Sequence, residues 1–143
     1  VSLPSDFTTL IPDVPSKWLE KYGITKQEII ANNIGWSDEH ERLYFPVFDV
    51  SGNLVVCQGR YFGTNPKASK YYTGGMVDNC FNLIGTPTPS VVLVEDVLSA
   101  IKVGRQYCAM PLFGSQISID RLIVLGDRFS ELVLWLDFLD ASQ

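Results

Sequence analysis

The spacing of apolar and polar positions changes period twice along the chain. After a lead punctuated by Pro4, Pro12 and Pro15, residues 16–22 read as a short helix that Gly23 closes as a favoured C-terminal cap. Thr25-Lys26-Gln27-Glu28 is a capping box, in which the Thr hydroxyl and the Glu carboxylate satisfy orphan amides reciprocally. It opens a second short helix to about residue 33, anchored by Ile29, Ile30 and Ile34. Two short helices around a glycine also describe a DNA-reading helix-turn-helix, but the second helix carries only Lys26 as a cation, which counts against that reading.

The pattern then turns to strands. RLYFPVFD (42–49) and LVVCQGRYF (54–62) flank Val50-Ser51-Gly52-Asn53, which is turn chemistry, so the pair predicts a hairpin. Pro46 has no backbone donor and implies an edge or a bulge. GTNPKASKYYTGG (63–75) predicts a loop rich in Gly, Lys and Tyr. A short strand around 81–84 leads to Gly85-Thr86-Pro87-Thr88-Pro89, which marks the boundary between subdomains at 1–86 and 87–143.

Beyond the boundary the pattern is α/β. VVLV (91–94) is a continuous apolar run of the kind found in fully buried parallel strands. Residues 96–103 predict a helix whose apolar stripe is Val97, Leu98, Ala100 and Ile101, stopped by Gly104. A second strand is expected over 108–113, ending at Gly114, and a helix over 118–129 with Ser118 or Asp120 near its start. LVLWL (132–136) predicts a third buried strand ending at Asp137. Strand–helix alternation implies right-handed crossovers and a parallel sheet. The fold class expected is therefore α/β: an α+β N-terminal subdomain, then a parallel sheet with helices on both faces, incomplete at its C-terminal end.

Composition sharpens the class. Of 143 residues, 46% are hydrophobic and 19% charged, which excludes a chiefly disordered chain. The longest apolar run, 132–136, is far short of the roughly 20 residues of a membrane span. The opening VSLPSDFTTL has neither the basic nor the apolar region of a signal peptide, so a cytoplasmic protein is expected. Val1 in place of a starting Met, and the closing Asp140-Ala141-Ser142-Gln143, read as a segment of a longer polypeptide. Cys57, Cys80 and Cys108 form no CxxC pair and His40 has no partner at metal spacing, so no zinc is expected and the cysteines read as reduced and mostly buried.

The net charge of −5 is unevenly placed. Residues 42–70 hold Arg42, Arg60, Lys67 and Lys70 against Asp49 alone, whereas residues 120–143 hold five anions and two cations. A basic stretch before an acidic one suits a site that holds phosphates on one side and metal ions on the other, although scattered surface charge gives the same count. In parallel sheets, ligands sit outside the carboxyl ends of the strands. Glu95 immediately follows VVLV and Asp137 immediately follows LVLWL; if those strands are neighbours, both acids enter one crevice, joined by Asp140. Acids so placed bind Mg²⁺ while substrate phosphates complete its shell. The same acids also have purely structural uses, since negative charge favours a helix N-terminus and Asp140 fits a helix cap.

Three segments are together recognisable. VVLVEDVLSAIKVG (91–104), AMPLFGSQIS (109–118) and LVLWLDFLDAS (132–142) resemble the successive signatures of a Toprim fold, named for topoisomerases and primases. Upstream, WLEKYGITKQEIIANNIGWS (18–37), RLYFPVFDVSGNLVVCQGRYF (42–62) and NPKASKYY (65–72) resemble the N-terminal half of the RNA-polymerase core of bacterial, DnaG-like primases, and most nearly the primases or primase–helicases of tailed phages. The resemblance spans residues 3–141.

The resemblance implies a nucleotidyltransferase that makes short RNA primers on single-stranded DNA from ribonucleoside triphosphates with Mg²⁺ or Mn²⁺, in a bacterial cell that is phage-infected or not, with a replicative helicase as a candidate partner. Glu95 matches the Toprim glutamate and Asp137 the first aspartate of its DxD motif. Arg60 matches an arginine of the basic ridge that grips template or incoming nucleotide, and Lys70, with Lys67, the lysine of a PKY-type loop. Tyr71 or Tyr72 is placed to stack on a base, with a buried role expected for at least one of them. This sequence departs from the family where DxD, a further residue, Ala and Gly read Asp137-Phe138-Leu139-Asp140-Ala141-Ser142: Leu139 replaces the second Asp and Asp140 lies one position late. On an extended segment that shift turns the side chain to the other face, whereas a tight turn from Phe138 still brings it to the metal. Two alternatives remain at this level: a non-catalytic primase-like module that binds single-stranded DNA or a replication partner, and a Toprim nuclease.

Overall fold

The computed structural model describes residues 1–136, which divide between two compact units, Val1–Met76 and a second that begins at Val77. In the first, α1 (Asp13–Lys21) and α2 (Lys26–Ala31) precede an antiparallel sheet in the order β1 (Gly35–Ser37), β2 (Arg42–Phe48), β3 (Leu54–Tyr61), β4 (Tyr71–Gly75). The local chemistry acts as read. Gly23 follows α1 at φ +78°, and its N–H donates to the Glu20 carbonyl. The Thr25 hydroxyl accepts from the Glu28 N–H at 3.1 Å while the Glu28 carboxylate accepts from the Thr25 N–H at 3.0 Å. Helix α1 begins earlier than the pattern predicts because Pro15 lies in its first turn, where the missing donor costs nothing.

The hairpin β2–β3 forms as expected, with a bulge between Val47 and Phe48. Pro46 is tolerated because β1 pairs only with Arg42–Tyr44, which leaves that edge of β2 open further along. The end of the predicted loop is instead β4, which pairs with β3 from Val56↔Gly75 to Arg60↔Tyr71. Its side chains are mostly exposed, so no apolar alternation announced it. For the same reason neither Tyr71 (45% exposed) nor Tyr72 (47%) is buried, against expectation.

The lead segment is fastened by Asp6. Its carboxylate accepts from the Ser37 hydroxyl at 2.7 Å and the Glu39 N–H at 2.9 Å, and Thr8 bridges to Trp36 through two backbone bonds. The Glu39 N–H, then the Ser37 hydroxyl, hold the Asp6 carboxyl below its ordinary pKa. A depressed folded value means that the contribution is present above the ordinary carboxylate range, about pH 4, and is lost as pH falls through the depressed value. The urea midpoint of the first unit should therefore fall more between pH 5 and pH 2.5 in wild type than in Asp6→Asn; equal slopes would remove Asp6 from the acid response.

The second unit is a mixed sheet in the order β5 (Ile84–Gly85), β7 (Cys108–Pro111), β6 (Ser90–Val94), β8 (Glu131–Leu134), with α3 (Val97–Gly104) between β6 and β7 and α4 (Ile119–Arg128) between β7 and β8. Strands β6, β7 and β8 are parallel, and only β5 runs antiparallel. The segment before the Pro-rich stretch thus pairs within this unit. Val91, Leu93, Cys108 and Met110 pack on one sheet face with Leu125 of α4, and Val92, Val94 and Ala109 on the other with Ala100 of α3. Helices therefore cover both faces, and β7 and all of β6 beyond Ser90 are buried.

Two expectations are corrected here. Strand β8 is only partly buried: it ends the sheet among the described residues, where Leu132 packs against the core while Leu134 and Trp135 are largely exposed. Gly104 is the last residue of α3 rather than the residue beyond it, and Arg105 caps the helix. The missing Cβ of Gly104 permits close approach to Gly85, whose neighbour Thr86 donates its N–H to the Gly104 carbonyl at 3.0 Å.

Arg121 is 1% exposed, beneath the Phe81 ring, and donates Nη2 to the Cys80 carbonyl at 2.8 Å. Its Nε and Nη1 have no partner among the described residues, and burial pushes its pKa down. It ties the start of the unit to α4, at the cost of desolvating a charge.

Candidate functional site

In the second unit the chain leaves β6 through α3 to β7 on one side, then crosses back through α4 to β8 on the other. Strand β6 is therefore the point at which strand order reverses, and an open crevice forms at the carboxyl end of such a strand. Glu95 is the first residue beyond that end and is half-buried. The loop after β7 hangs on it: the Leu112 N–H donates to the Val94 carbonyl at 2.8 Å and the Gly114 N–H to the Glu95 carbonyl at 3.2 Å. Between them Phe113 sits at φ +57°, a left-handed conformation that non-glycine residues adopt rarely. Asp96 is committed elsewhere, since its carboxylate caps α3 by accepting from the Ser99 N–H at 2.8 Å.

Strands β6 and β8 are direct parallel neighbours, with Leu93 opposite Leu134 and the Trp135 N–H donating to the Leu93 carbonyl at 2.9 Å. Both strands thus leave the sheet at the same end. Asp137 and Asp140 lie outside the described residues. Among the described residues, no three His, Cys, Asp or Glu side chains gather as a metal site. Burial pushes the thiols of Cys57, Cys80 and Cys108 up, which keeps them protonated and poor ligands. Glu95 by its chemistry is a hard oxygen donor of the kind Mg²⁺ takes, at a position where such donors are useful.

In the first unit three residues singled out in the sequence come together. Arg60 and Tyr71 are cross-strand partners, and directly opposed residues share a sheet face. The Lys70 carbonyl accepts from the Tyr61 N–H at 2.8 Å, and its Nζ lies 5.9 Å from the Tyr71 ring centre. Lys67 stays on the exposed loop between them. Arg60 is not simply extended into solvent. Its guanidinium lies 4.3 Å from the Phe62 ring centre and 5.2 Å from Trp18, with Nη1 donating to the Tyr61 carbonyl and Nε without a partner among the described residues. The two rings hold the guanidinium in a fixed direction.

Two features escaped the sequence reading. Arg42, counted there only as charge, donates to the carbonyls of Gly59 and Ser69 at 3.0 and 2.8 Å. A cavity of about 450 Å³ on the opposite sheet face is lined by Glu39, His40, Tyr44, Cys57 and Tyr72 beneath the lead segment, where His40 Nδ1 and the Tyr44 hydroxyl are 2.8 Å apart. Neither carries a local motif, because each depends on residues from distant strands.

Solved structures share this fold. The Aquifex aeolicus primase, with its zinc-binding and RNA polymerase domains, is similar at a TM-score of 0.69 and 16% identity over 94% of this chain and 45% of that one. The E. coli primase catalytic core gives 0.61 at 16% identity over 84% of this chain and 54% of that one. A DnaG primase catalytic domain bound to single-stranded DNA gives 0.60 at 16% identity, over 84% and 52%. The chain spans about half the length of these structures. At such identity the likeness establishes the architecture: a mixed α/β fold of the kind found in DnaG-type primase catalytic cores. No protein-family model matches the chain, and no curated protein matches its sequence. No helix among the described residues is long and apolar enough to cross a membrane.

Proposed function

We propose that this chain is the catalytic-core segment of a primase, a nucleotidyltransferase that builds RNA primers on single-stranded DNA, and that it belongs with the phage-type primases or primase–helicases its upstream segments resemble. The observation that carries the reading is Glu95 at the strand-order reversal of a sheet whose architecture is shared with primase cores. Glu95 and Asp137 would hold Mg²⁺ or Mn²⁺, with Asp140 as a third donor. A divalent ion there orients nucleotide phosphates and neutralises charge that develops on them. The Phe113–Gly114 loop fixes the backbone of Glu95, so its carboxylate leaves from a rigid base.

On the first unit, Arg60, Lys67 and Lys70 would bind phosphates of template or ribonucleoside triphosphate, and Tyr71 would stack on a base. Arg60 offers a planar fork directed by two rings, whereas the lysines act as point charges. Fluorescence anisotropy with a labelled single-stranded oligonucleotide tests this half of the reading. Removing two phosphate contacts in Lys67→Ala/Lys70→Ala should lower the slope of log K against log salt by about 1.4, from about 0.7 per contact on single strands. An unchanged slope would take both lysines out of the interface.

A further inference from the structure

We infer that Arg42 is a positioning residue that shapes the basic loop, a conclusion that rests on the reading of Lys67 and Lys70 as phosphate-binding. The loop between β3 and β4 is short of apolar anchors, yet hydrogen bonds hold it. The Asn65 N–H donates to the Tyr61 hydroxyl at 3.0 Å, the Lys67 N–H to the Asn65 side-chain oxygen at 3.0 Å and the Ala68 N–H to the Asn65 carbonyl at 3.1 Å. Arg42 closes this loop at its base. From β2 its guanidinium reaches across β3, donating Nη1 to the Gly59 carbonyl and Nη2 to the Ser69 carbonyl, and lies 5.3 Å from the Tyr61 ring centre.

One fork therefore joins a strand to the residue next to Lys70, and stacks on the ring whose hydroxyl holds Asn65. Gly59 makes room for this crossing: a Cβ there would fall 3.2 Å from the Arg42 Cδ and 2.8 Å from the Tyr44 ring. With its two terminal nitrogens bonded to backbone carbonyls, Arg42 supplies geometry to the loop more than charge to a ligand. The planar guanidinium reaches the two carbonyls with separate nitrogens, whereas an ammonium would have to serve both from a single nitrogen on a flexible stem.

The test compares wild type, Arg42→Lys, Arg42→Met, Lys67→Ala/Lys70→Ala and the Arg42→Met/Lys67→Ala/Lys70→Ala triple variant, all in the 143-residue chain. Hydrogen exchange should speed up about tenfold or more at Asn65, Lys67 and Ala68 in both Arg42 variants, while amides of Phe45 and Gln58 keep their protection. Oligonucleotide binding should weaken alike in Arg42→Lys and Arg42→Met, and the triple variant should bind no worse than the lysine pair. Should Arg42→Met lose sheet protection, Arg42→Lys, which keeps the stem and the charge, decides the matter alone. Unchanged loop exchange in Arg42→Lys overturns the clamp, as does full binding by Arg42→Lys beside weak binding by Arg42→Met, which would make Arg42 a charge contact. Faster loop exchange with wild-type binding by the lysine pair upholds the clamp and overturns the phosphate reading.

Discussion

Glu95→Gln should lower metal-dependent primer synthesis in the full-length protein by about a hundredfold or more while leaving the fold intact. The substitution keeps the shape of the side chain and removes its charge, and a divalent ion bound by few protein carboxylates depends on each of them. Glu95 lies just past β6, and the bonds that fix this turn go to its backbone carbonyl and to that of Val94, so they survive the change. Urea unfolding measured on the same variant separates a lost metal donor from a lost fold. The assay is primer synthesis across a Mg²⁺ titration, with oligonucleotide binding measured alongside. Undiminished synthesis would remove Glu95 from the mechanism. A wild-type protein that binds oligonucleotide but makes no primer at any Mg²⁺ concentration would favour the non-catalytic module, and nicking of DNA without nucleotides would favour the nuclease.

Gly85→Ala should cost about 3 kcal/mol or more, a large share of what a unit of this size holds in reserve. Two penalties combine. Gly85 sits at φ +97°, which an L side chain adopts at a cost of about 1–2 kcal/mol, and a Cβ there would fall on the Cα and carbonyl oxygen of Gly104. Both obstacles are backbone, so no rotamer change relieves them, and forced overpacking costs about 1–3 kcal/mol more. The outcome should be release of β5 from β7 and loss of the Thr86 bonds to Gly104. Gly104→Ala should be milder, because its Cβ meets Gly85 at 3.0 Å and alanine recovers about 1 kcal/mol of helix propensity. Urea denaturation of both variants checks the ranking; a loss below about 1 kcal/mol for Gly85→Ala would mean that this approach does not constrain the fold.

Much of the architecture was legible because its signals are local. The capping box at Thr25 and Glu28 is a reciprocal bond between residues three apart, and VVLV is buried on both faces because both faces need apolar side chains. Strand β4 was not legible. Tyr71, Tyr72 and Thr73 have strand chemistry, but two glycines follow and most side chains meet solvent, so pairing with β3 alone makes the segment a strand. Strand β8 was half legible: LVLWL reads as core throughout, and Leu132 and Leu136 pack against it, yet Val133, Leu134 and Trp135 are exposed at what is an edge among the described residues.

The candidate site divides along the same line. From the sequence alone came the residue types and their order: a glutamate after an apolar strand, a basic stretch before an acidic one, and the spacing of arginine, lysines and tyrosines around a glycine-rich loop. These follow from side-chain chemistry and short-range periodicity, which a sequence carries in full. Tertiary structure alone decided that β6 is where strand order reverses, that Arg60 on β3 pairs with Tyr71 on β4, and that Arg42 reaches from β2 over β3 to Ser69. Each is a relation between residues far apart in the chain. Strand order, register and the path of a long side chain across a sheet come from packing many segments at once, and no local pattern encodes them.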